Sequence, residues 1–197
     1  MKSDIILSGV GGQGIVSIAA TIAMAALENN LNIKQSEVHG MSQRGGAVYS
    51  HLRISDKDIA SDLIPMGEAD IIISVEPMES LRYLPWLKED GWLVTNSIPF
   101  INIPDYPDLK ALHSEIEKFP NHILINADEI ARQVKSPRSL NIVMLGAATP
   151  FLKIPMENFE SAIKKIFGRK GEKIVELNIQ ALHAGREFSL THQKEKV

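Results

Sequence analysis

The sequence predicts a doubly wound, mostly parallel α/β sheet with helices on both faces. Two observations support this fold class. Short apolar runs typical of buried strands alternate along the chain with longer helix-forming segments. The first of these runs ends in a cluster of glycines that leads directly into an Ala-rich helix, as in a βα unit. In such a Rossmann-like architecture, we expect the loops at the carboxyl ends of the strands to share one edge of the sheet.

The predicted elements follow one another with few interruptions. Strands are predicted at residues 4–8, 33–38, 47–54, 69–75, 92–95 and 122–126. Helices are predicted at residues 15–30, 78–89, 128–134, 140–152, 157–167 and 172–187. The strand at 47–54 alternates apolar and polar residues, which indicates a half-solvated edge or antiparallel strand. The helix at 140–152 is apolar nearly all round, so we expect it to be buried in its own core or against another chain.

The length of 197 residues favours a single domain, which we place at residues 1–190. The remaining charged residues, 191–197, are expected to form a mobile tail. Pro99, Pro104 and Pro107 mark a loop of about ten residues, a length typical of surface or interface loops.

Composition excludes several classes of protein. Hydrophobic residues make up 44% and charged residues 23%, values typical of a globular protein. The net charge of −3 provides no global positive field for a nucleic acid. The chain contains no cysteine, so it cannot form disulfides, hold an iron–sulfur cluster through thiolates or use a cysteine nucleophile. Any iron–sulfur cluster must therefore belong to a partner.

Targeting and metal signals are weak throughout the sequence. The first residues run into a short strand without the apolar region of a signal peptide, and no apolar run reaches the ~20 residues needed to cross a bilayer. We therefore expect a cytoplasmic protein with no membrane partner. The six histidines have no ligand-like spacing, so no metal site is predicted.

The first candidate site is the glycine-rich turn between the first strand and the first helix. Its candidate binding residues are Gly9, Gly11, Gly12, Gln13 and Gly14, in the pattern G-x-G-G-x-G. Residues without side chains let the backbone approach a phosphate, and the helix N-terminus attracts an anion. In the alternative interpretation, the glycines serve only tight turning and helix–strand packing. Glu37 lies at about the distance at which a dinucleotide site places its ribose-binding acid.

The second candidate site is the loop at residues 39–46, His-Gly-Met-Ser-Gln-Arg-Gly-Gly. Its glycines permit an anion-binding nest of backbone amides, and Arg44 adds a forked donor for a carboxylate or phosphate. We include Ser42, Gln43, Arg44 and Gly45 as candidates for binding an anion, coenzyme A or a partner. In the alternative interpretation, Arg44 pairs with Glu37 or Asp70 and only orders the loop. His39 is a candidate proton donor or a simple hydrogen-bonding residue.

Two further polar positions follow predicted strands. Glu76 ends the strand at 69–75, and Asn96 with Ser97 ends the strand at 92–95. In α/β proteins, the carboxyl ends of strands are where ligands bind. Both positions can equally well be explained as the beginnings of the next helices. No residue of the chain is identified as catalytic.

These segments together resemble the gamma-type subunit of the 2-oxoacid:ferredoxin oxidoreductases. The resemblance rests on the G-V-G-G-Q-G turn, on the sequence E-V-H-G-M-S-Q-R-G-G-A-V at 37–48 and on Glu76-Pro77 after the strand that begins at Ala69. An N-x-x-x-L-G-A stretch at 141–147 extends it over nearly the whole chain. The loop at 39–46 favours the indolepyruvate branch of the family over the pyruvate branch.

The resemblance implies a reaction and a division of labour. The family reaction is the oxidative decarboxylation of a 2-oxoacid, here an aryl one, to an acyl-CoA, carbon dioxide and reduced ferredoxin. Thiamine diphosphate and iron–sulfur clusters are expected on a large alpha subunit, because this chain has neither cysteines nor a thiamine-diphosphate motif. Coenzyme A is the expected co-substrate, and ferredoxin is an expected partner. The chain is then expected to dock on the large subunit with its glycine loops facing the active site or the coenzyme A channel.

Three functions remain open at the level of sequence. The chain is a subunit of such an oxidoreductase with little or no activity alone, a free-standing nucleotide-binding Rossmann-like protein, or a non-catalytic regulatory or scaffold module. The resemblance favours the first.

Overall fold

The structure, a computed structural model, describes residues 1–40, 45–101 and 103–195. Its centre is one six-stranded sheet in the order β2-β3-β1-β4-β5-β6. The strands are β1 (Lys2–Val10), β2 (Asn32–His39), β3 (Ala47–Ser55), β4 (Ala69–Ser74), β5 (Leu87–Asn96) and β6 (His122–Ile125). The helices are α1 (Ile15–Glu28), α2 (Pro77–Arg82), α3 (Leu109–Glu117), α4 (Ala127–Gln133), α5 (Leu140–Ala148), α6 (Met156–Phe167) and α7 (Glu172–Glu195).

Four of the strands form the parallel part of the sheet. β1, β4, β5 and β6 are parallel to one another, whereas β3 pairs antiparallel with both β1 and β2. Because β3 is antiparallel to both of its neighbours, β2 points in the same direction as β1. The carboxyl ends of β1, β2, β4, β5 and β6 therefore meet at one edge, which we call the strand-end edge. The predicted α/β class, mostly parallel with helices on both faces, is confirmed.

The strand at 47–54 is antiparallel, as predicted, but the expectation that it is half-solvated and possibly at the edge is wrong. β3 lies between β2 and β1, and its polar residues Ser50 and His51 are buried. The amide of Ile64 donates a hydrogen bond of 3.1 Å to Nδ1 of His51, so the segment between β3 and β4 covers this part of the strand. The two edge strands of the sheet are β2 and β6.

The two faces of the sheet carry separate hydrophobic clusters. On one face, Ile5 and Ile73 of the strands pack with helices α1, α4, α5, α6 and α7. On the other, Ile6 and Ile72 pack with Tyr83 and with Ile116 of α3. This division follows from the period-2 alternation of strand side chains, since adjacent residues of the same strand face opposite sides.

Helix α5 is buried within its own chain. All residues from Ile142 to Ala148 are buried, and α7 packs along this helix. The apolar stretch predicted at 140–152 therefore belongs to the domain core. It is covered by its own chain and does not need a partner.

The largest differences between predicted and observed boundaries fall at the helix after β4 and at the last helix. The helix expected at 78–89 ends at Arg82, and β5 already begins at Leu87. Pro85 explains the break, because proline lacks the amide hydrogen that a continuing helix requires. Helix α7 extends to Glu195, into the segment predicted to be a mobile tail, whose mobility remains a prediction. Within the described ranges, no helix combines the length and apolar character needed to cross a membrane.

Candidate functional site

The strand-end edge brings the two glycine loops together. The amide of Gly11 in the first loop donates a hydrogen bond of 2.9 Å to the carbonyl oxygen of Gly46 in the second. The strands below them are in register, with Gly9 opposite Val48 and Val10 opposite Ala47. The loops therefore form one continuous border at the ends of β1 and β2.

The glycine turn leaves the N-terminus of α1 without a side-chain cap. Gly14 is the N-cap residue and has a left-handed backbone with φ of 82°, and Gly12 has φ of 100°. These values favour glycine strongly, because a Cβ clashes with the backbone in this region. No acidic residue occupies the first turn of α1, so its positive dipole end is not offset locally. This arrangement is compatible with an anion, as the sequence predicts.

Two of the candidate residues have structural roles inside the turn. The Oε1 atom of Gln13 accepts a hydrogen bond of 2.8 Å from the amide of Val10, and its Nε2 donates to the carbonyl oxygen of Val75 at 3.3 Å. A Cβ at Gly9 would lie 2.3 Å from Cγ2 of Val75. Gln13 and Gly9 thus hold the turn against the end of β4, and the hydrogen bonds of the Gln13 side chain are used within the turn.

The second loop is described only in part. Candidate residues Ser42, Gln43 and Arg44 lie outside the described residues, as does the side chain of His39. The amide of Gly40 donates a hydrogen bond of 2.8 Å to the carbonyl oxygen of Ala47, which closes the base of the loop. Gly45 has a left-handed backbone with φ of 80°. The predicted anion nest in this loop therefore remains a prediction.

A groove of about 600 Å³ opens beside the glycine turn. Its wall is formed by the turn itself, by the segment between α4 and α5, and by the junction of α6 with α7. Lys135, Arg138 and Lys170 are exposed cations among the lining residues, which include no acidic side chain. Phe167, with Lys170 Nζ 5.4 Å from its ring centroid, and Leu177 supply an apolar wall.

Buried, hydrogen-bonded polar side chains form the bottom of the groove. Ser139 and Asn178 are buried, and the Ser139 hydroxyl donates a hydrogen bond of 3.0 Å to Oδ1 of Asn178. Asn141 Nδ2 donates to the carbonyl oxygen of Gly14 at 3.3 Å and so ties α5 to the glycine turn. A second cavity of about 260 Å³ shares Gly12 and Gly14 with this groove.

Sequence reasoning did not identify the basic groove. Its three cations lie at positions 135, 138 and 170, far from the glycine turn in sequence, and each lies near the end of a helix, where basic residues are common. No local sequence pattern indicates that these cations meet beside the glycine turn.

The other polar candidates have structural partners. Glu37 lies on the edge strand β2, opposite Ser50, and its Oε2 accepts a hydrogen bond of 3.2 Å from Gln35. In a dinucleotide site, this acid would end the strand next to β1, but here β3 lies between β2 and β1. Asp70, the other proposed partner of Arg44, lies at the start of β4 and pairs with Lys88 at 2.6 Å.

Asn96 holds the loops after β5 and β6 in place. Its Nδ2 donates to Asp128 Oδ2 at 3.0 Å, and its Oδ1 accepts from the amide of Ala127 at 3.2 Å. The neighbouring carbonyl oxygen of Ser97 lies 2.9 Å from Nε2 of His113. Asn96 is buried, so the structure favours the interpretation of this position as a local structural element.

Glu76 is fully buried and connects α2 to the loop after β5. Its Oε2 accepts a hydrogen bond of 2.8 Å from the amide of Glu79, which makes it the N-cap of α2. Its Oε1 accepts from the hydroxyl of Tyr106 and, at 3.4 Å, from the amide of Phe100. Burial and this hydrogen bond raise the pKa of Tyr106 above its usual range, so the hydroxyl stays protonated and donates.

Two further buried titratable groups belong to the α2 region: Glu79 lies in α2, and Tyr83 follows its last residue. Burial raises the pKa of Glu79, and the guanidinium of Arg82, whose Nε lies 3.0 Å from Oε2, opposes that change. Burial raises the pKa of Tyr83 to about 12, and the negative charge of Glu79 is the second-largest cause of this change. These groups are packed under α2 and do not open onto the groove, so they explain the local structure and do not form a reaction centre.

A further cavity of about 510 Å³ lies at the opposite edge of the sheet. Its buried carboxylate, Asp4, accepts hydrogen bonds from Arg53 at 2.8 and 3.1 Å and also pairs with Lys2 at 2.8 Å. Arg53 also donates to the carbonyl oxygens of Ser61 and Leu63. These charges satisfy one another, so we assign them a structural role.

The fold and the site define a Rossmann-like α/β protein whose two glycine loops and basic groove share one edge of the sheet. The family described as Pyruvate ferredoxin/flavodoxin oxidoreductase matches residues 4–188. The chain belongs to this family, and the resemblance predicted from its glycine loops is confirmed.

The chain is similar to individual subunits of 2-oxoacid oxidoreductases. The chain is 37% identical to the indolepyruvate oxidoreductase subunit IorB of Archaeoglobus fulgidus, with 100% of both chains covered. Among solved structures, it is similar to the gamma subunit of a keto/oxoacid ferredoxin oxidoreductase from Geobacter sulfurreducens, with a TM-score of 0.69 and 27% identity over 96% of this chain and 99% of that one.

The same fold also occurs inside a longer chain. A 2-oxoglutarate:ferredoxin oxidoreductase from Magnetococcus marinus matches with a TM-score of 0.76 and 22% identity, covering 96% of this chain and 31% of that one. In that oxidoreductase, the fold is thus one part of a larger polypeptide.

Proposed function

We propose that the chain is the small subunit of an indolepyruvate-type 2-oxoacid:ferredoxin oxidoreductase, which oxidatively decarboxylates aryl 2-oxoacids to acyl-CoA and reduces ferredoxin. The observation that carries this proposal is the similarity, over 100% of both chains, to a relative named as an indolepyruvate oxidoreductase subunit. The intact loop at 39–46 supports the same branch of the family.

The redox chemistry belongs to the partner in this proposal. The chain contains no cysteine to ligate an iron–sulfur cluster. The large subunit would hold thiamine diphosphate and the iron–sulfur clusters, which would supply the decarboxylation chemistry and the electron transfer to ferredoxin. The present chain would contribute the strand-end edge, with Gly11, Gly12 and Gly14 next to the basic groove. Its location in the cytoplasm remains a prediction.

We assign the groove beside the glycine turn to the phosphates of coenzyme A. Lys135, Arg138 and Lys170 supply positive charge without an acidic neighbour among the lining residues, and the uncapped N-terminus of α1 faces the same space through Gly14. Phe167 offers an apolar surface for the uncharged parts of the molecule. A volume of about 600 Å³ lies within the usual range for small-molecule sites.

Reconstitution with the large subunit from the same organism tests the subunit assignment. We expect 2-oxoacid-dependent reduction of a viologen dye by the mixture, and little or no activity of either chain alone. Saturable binding of NAD(P) or FAD by the isolated chain would instead favour a free-standing nucleotide-binding protein. Normal turnover by the large subunit alone would leave only a regulatory or scaffold role.

The coenzyme A assignment needs a separate test in the reconstituted enzyme. Replacing Arg138 and Lys170 together by Ala should raise the KM for coenzyme A about tenfold or more and leave the KM for the 2-oxoacid unchanged, because lost charge–phosphate contacts weaken only the anionic ligand. Lys57→Ala, which removes a cation at the opposite edge, is the matched control. Equal KM values for coenzyme A in all variants would contradict the assignment.

A further inference from the structure

The loop between β5 and α3 exposes large apolar side chains to solvent. Ile101 is 70% exposed, Phe100 is 43% exposed and Ile103 is 40% exposed. We call these three residues the apolar patch. Single exposed hydrophobic residues are common on protein surfaces, but a cluster within four positions of one loop is typical of an interaction site.

The loop is held in place although its apolar side chains point into water. At its start, the amide of Ser97 donates a hydrogen bond of 2.8 Å to the carbonyl oxygen of Ile125. In its middle, the buried carboxylate of Glu76 accepts from the amide of Phe100 and from the hydroxyl of Tyr106. At its end, Asp108 caps α3 through the amide of Ala111 at 3.0 Å. These bonds anchor the loop on both sides of the exposed side chains, which lowers the entropy cost of binding.

The patch belongs to the same edge of the sheet as the glycine loops. It follows β5, which is separated from β1 only by β4, and Glu76 follows β4 at this edge. Val16 in the first turn of α1 and Val38 near the end of β2 are also exposed there, at 54% and 43%. Exposed apolar side chains therefore occur at several points along the edge that, in the proposed function, faces the large subunit.

The charges of the loop argue against a second copy as the occupant. Between positions 97 and 108, the charged residues are Asp105 and Asp108, with no lysine or arginine. In a symmetric dimer through this patch, each acidic loop would face its own copy, and like charges in contact are unfavourable. A partner that fits must offer an apolar socket with cationic side chains at its border.

We propose that the apolar patch is an anchor that inserts into an apolar, positively bordered socket on the large, cofactor-bearing subunit. This inference rests on the proposed function and assigns the docking surface within it. Three side chains do not make a whole interface, which needs at least about 1,200 Å² of buried surface. They are instead a central hot spot, the kind of cluster that accounts for most of the binding energy, with the rest of the strand-end edge around it.

The experiment compares Ile101→Asp with a matched control in binding to the large subunit from the same organism. Met66→Asp is the control, because Met66 is 68% exposed and lies between β3 and β4, before the amino end of β4. The dissociation constant is measured by biolayer interferometry on the immobilised large subunit. We expect Ile101→Asp to weaken binding about tenfold or more and Met66→Asp to change it less than about twofold.

The possible outcomes separate this inference from the proposed function. Wild-type affinity of Ile101→Asp overturns the docking surface but leaves the subunit assignment intact, whereas failure of the wild-type chain to bind the large subunit overturns both. If the isolated wild-type chain forms dimers and Ile101→Asp does not, a second copy of the chain occupies the patch, and the proposed docking on the large subunit is overturned. Thermal unfolding of each variant checks the fold, and Ile101→Ser replaces Ile101→Asp if the charged variant unfolds.

Discussion

Gly146 of α5 and Gly185 of α7 pack reciprocally where the backbones of the two helices touch. A Cβ at Gly146 would lie 2.0 Å from the carbonyl oxygen of Leu182, and a Cβ at Gly185 would lie 2.0 Å from that of Val143. Because each glycine faces backbone of the other helix, no side chain can rotate away to make room. This contact fixes α7 against α5, and both helices carry residues that line the basic groove.

We predict that Gly146→Ala lowers the free energy of unfolding by about 3 kcal/mol or more, because overpacking against backbone forces the helices apart. Urea denaturation measures the change. Gly168→Ala is the matched control, since a Cβ there meets nothing within 4 Å, and its effect should stay within about 0.5 kcal/mol. A loss below about 1 kcal/mol for Gly146→Ala would show that the helices separate more easily than their contact indicates.

The glycine turn allows a second comparison of matched variants. Gly14→Ala introduces a Cβ into a residue with positive φ and places it 2.8 Å from Nδ2 of Asn141, whereas Gly12→Ala introduces a Cβ into another residue with positive φ but with nothing within 4 Å. We predict a loss of about 1–2 kcal/mol for Gly12→Ala and about 1 kcal/mol more for Gly14→Ala. The excess should disappear when Gly14→Ala is measured in an Asn141→Ala background. An excess that survives in the double mutant would rule out the Asn141 contact as its cause.

Sequence reasoning predicted the position of most strands but not all of their pairings. The apolar runs of β1 and β4 were sufficient to place them as buried parallel strands. The alternation at 47–54 predicted an antiparallel strand but could not show that a later segment buries its polar side. His51 stays inside because Ile64, which is distant in sequence, donates to its ring. Pairing of this kind depends on tertiary contacts, which local periodicity does not contain.

The site was predictable to a similar extent. The glycine turn was identified because its spacing reflects a local backbone requirement, which the left-handed Gly12 and Gly14 satisfy. The basic groove was missed because Arg138 and Lys170 come together only when α5, α6 and α7 pack around the turn. Likewise, no local pattern shows that Tyr106 contacts Glu76, thirty positions earlier.

His51 predicts a dependence of stability on pH. Burial lowers the pKa of this imidazole below its ordinary value of 6.5, the nearby charge of Asp62 opposes the change, and Arg53 adds to it. The unfolded chain therefore takes up the proton at a higher pH than the folded chain does. The contribution of His51 to stability is complete above about pH 6.5 and is lost as the pH falls towards the folded-state pKa.

We expect the free energy of unfolding to fall between pH 7.5 and pH 5 by more in the wild type than in His51→Asn. The Oδ1 atom of asparagine takes the place of Nδ1, which accepts from the amide of Ile64, and asparagine does not titrate. Chemical denaturation at several pH values measures both curves, and their difference cancels the contributions of the carboxylates. Parallel curves for the two proteins would contradict the assignment to His51.

The hydrogen bond from Tyr106 to Glu76 holds the loop after β5, and its removal should change both stability and local hydrogen exchange. Tyr106→Phe removes a donor from a fully buried carboxylate, so we expect a loss of about 1.5–3 kcal/mol in the free energy of unfolding. Hydrogen exchange at the amide of Phe100, which shares the same oxygen, should accelerate about tenfold or more, while the amide of Ser97 stays protected by its bond to Ile125. Tyr83→Phe removes the hydroxyl of a buried tyrosine that does not contact Glu76 in any described hydrogen bond, and it should leave exchange at Phe100 unchanged. If Tyr106→Phe leaves exchange at Phe100 unchanged as well, the loop is held by its prolines and end contacts, and Glu76 serves only as the cap of α2.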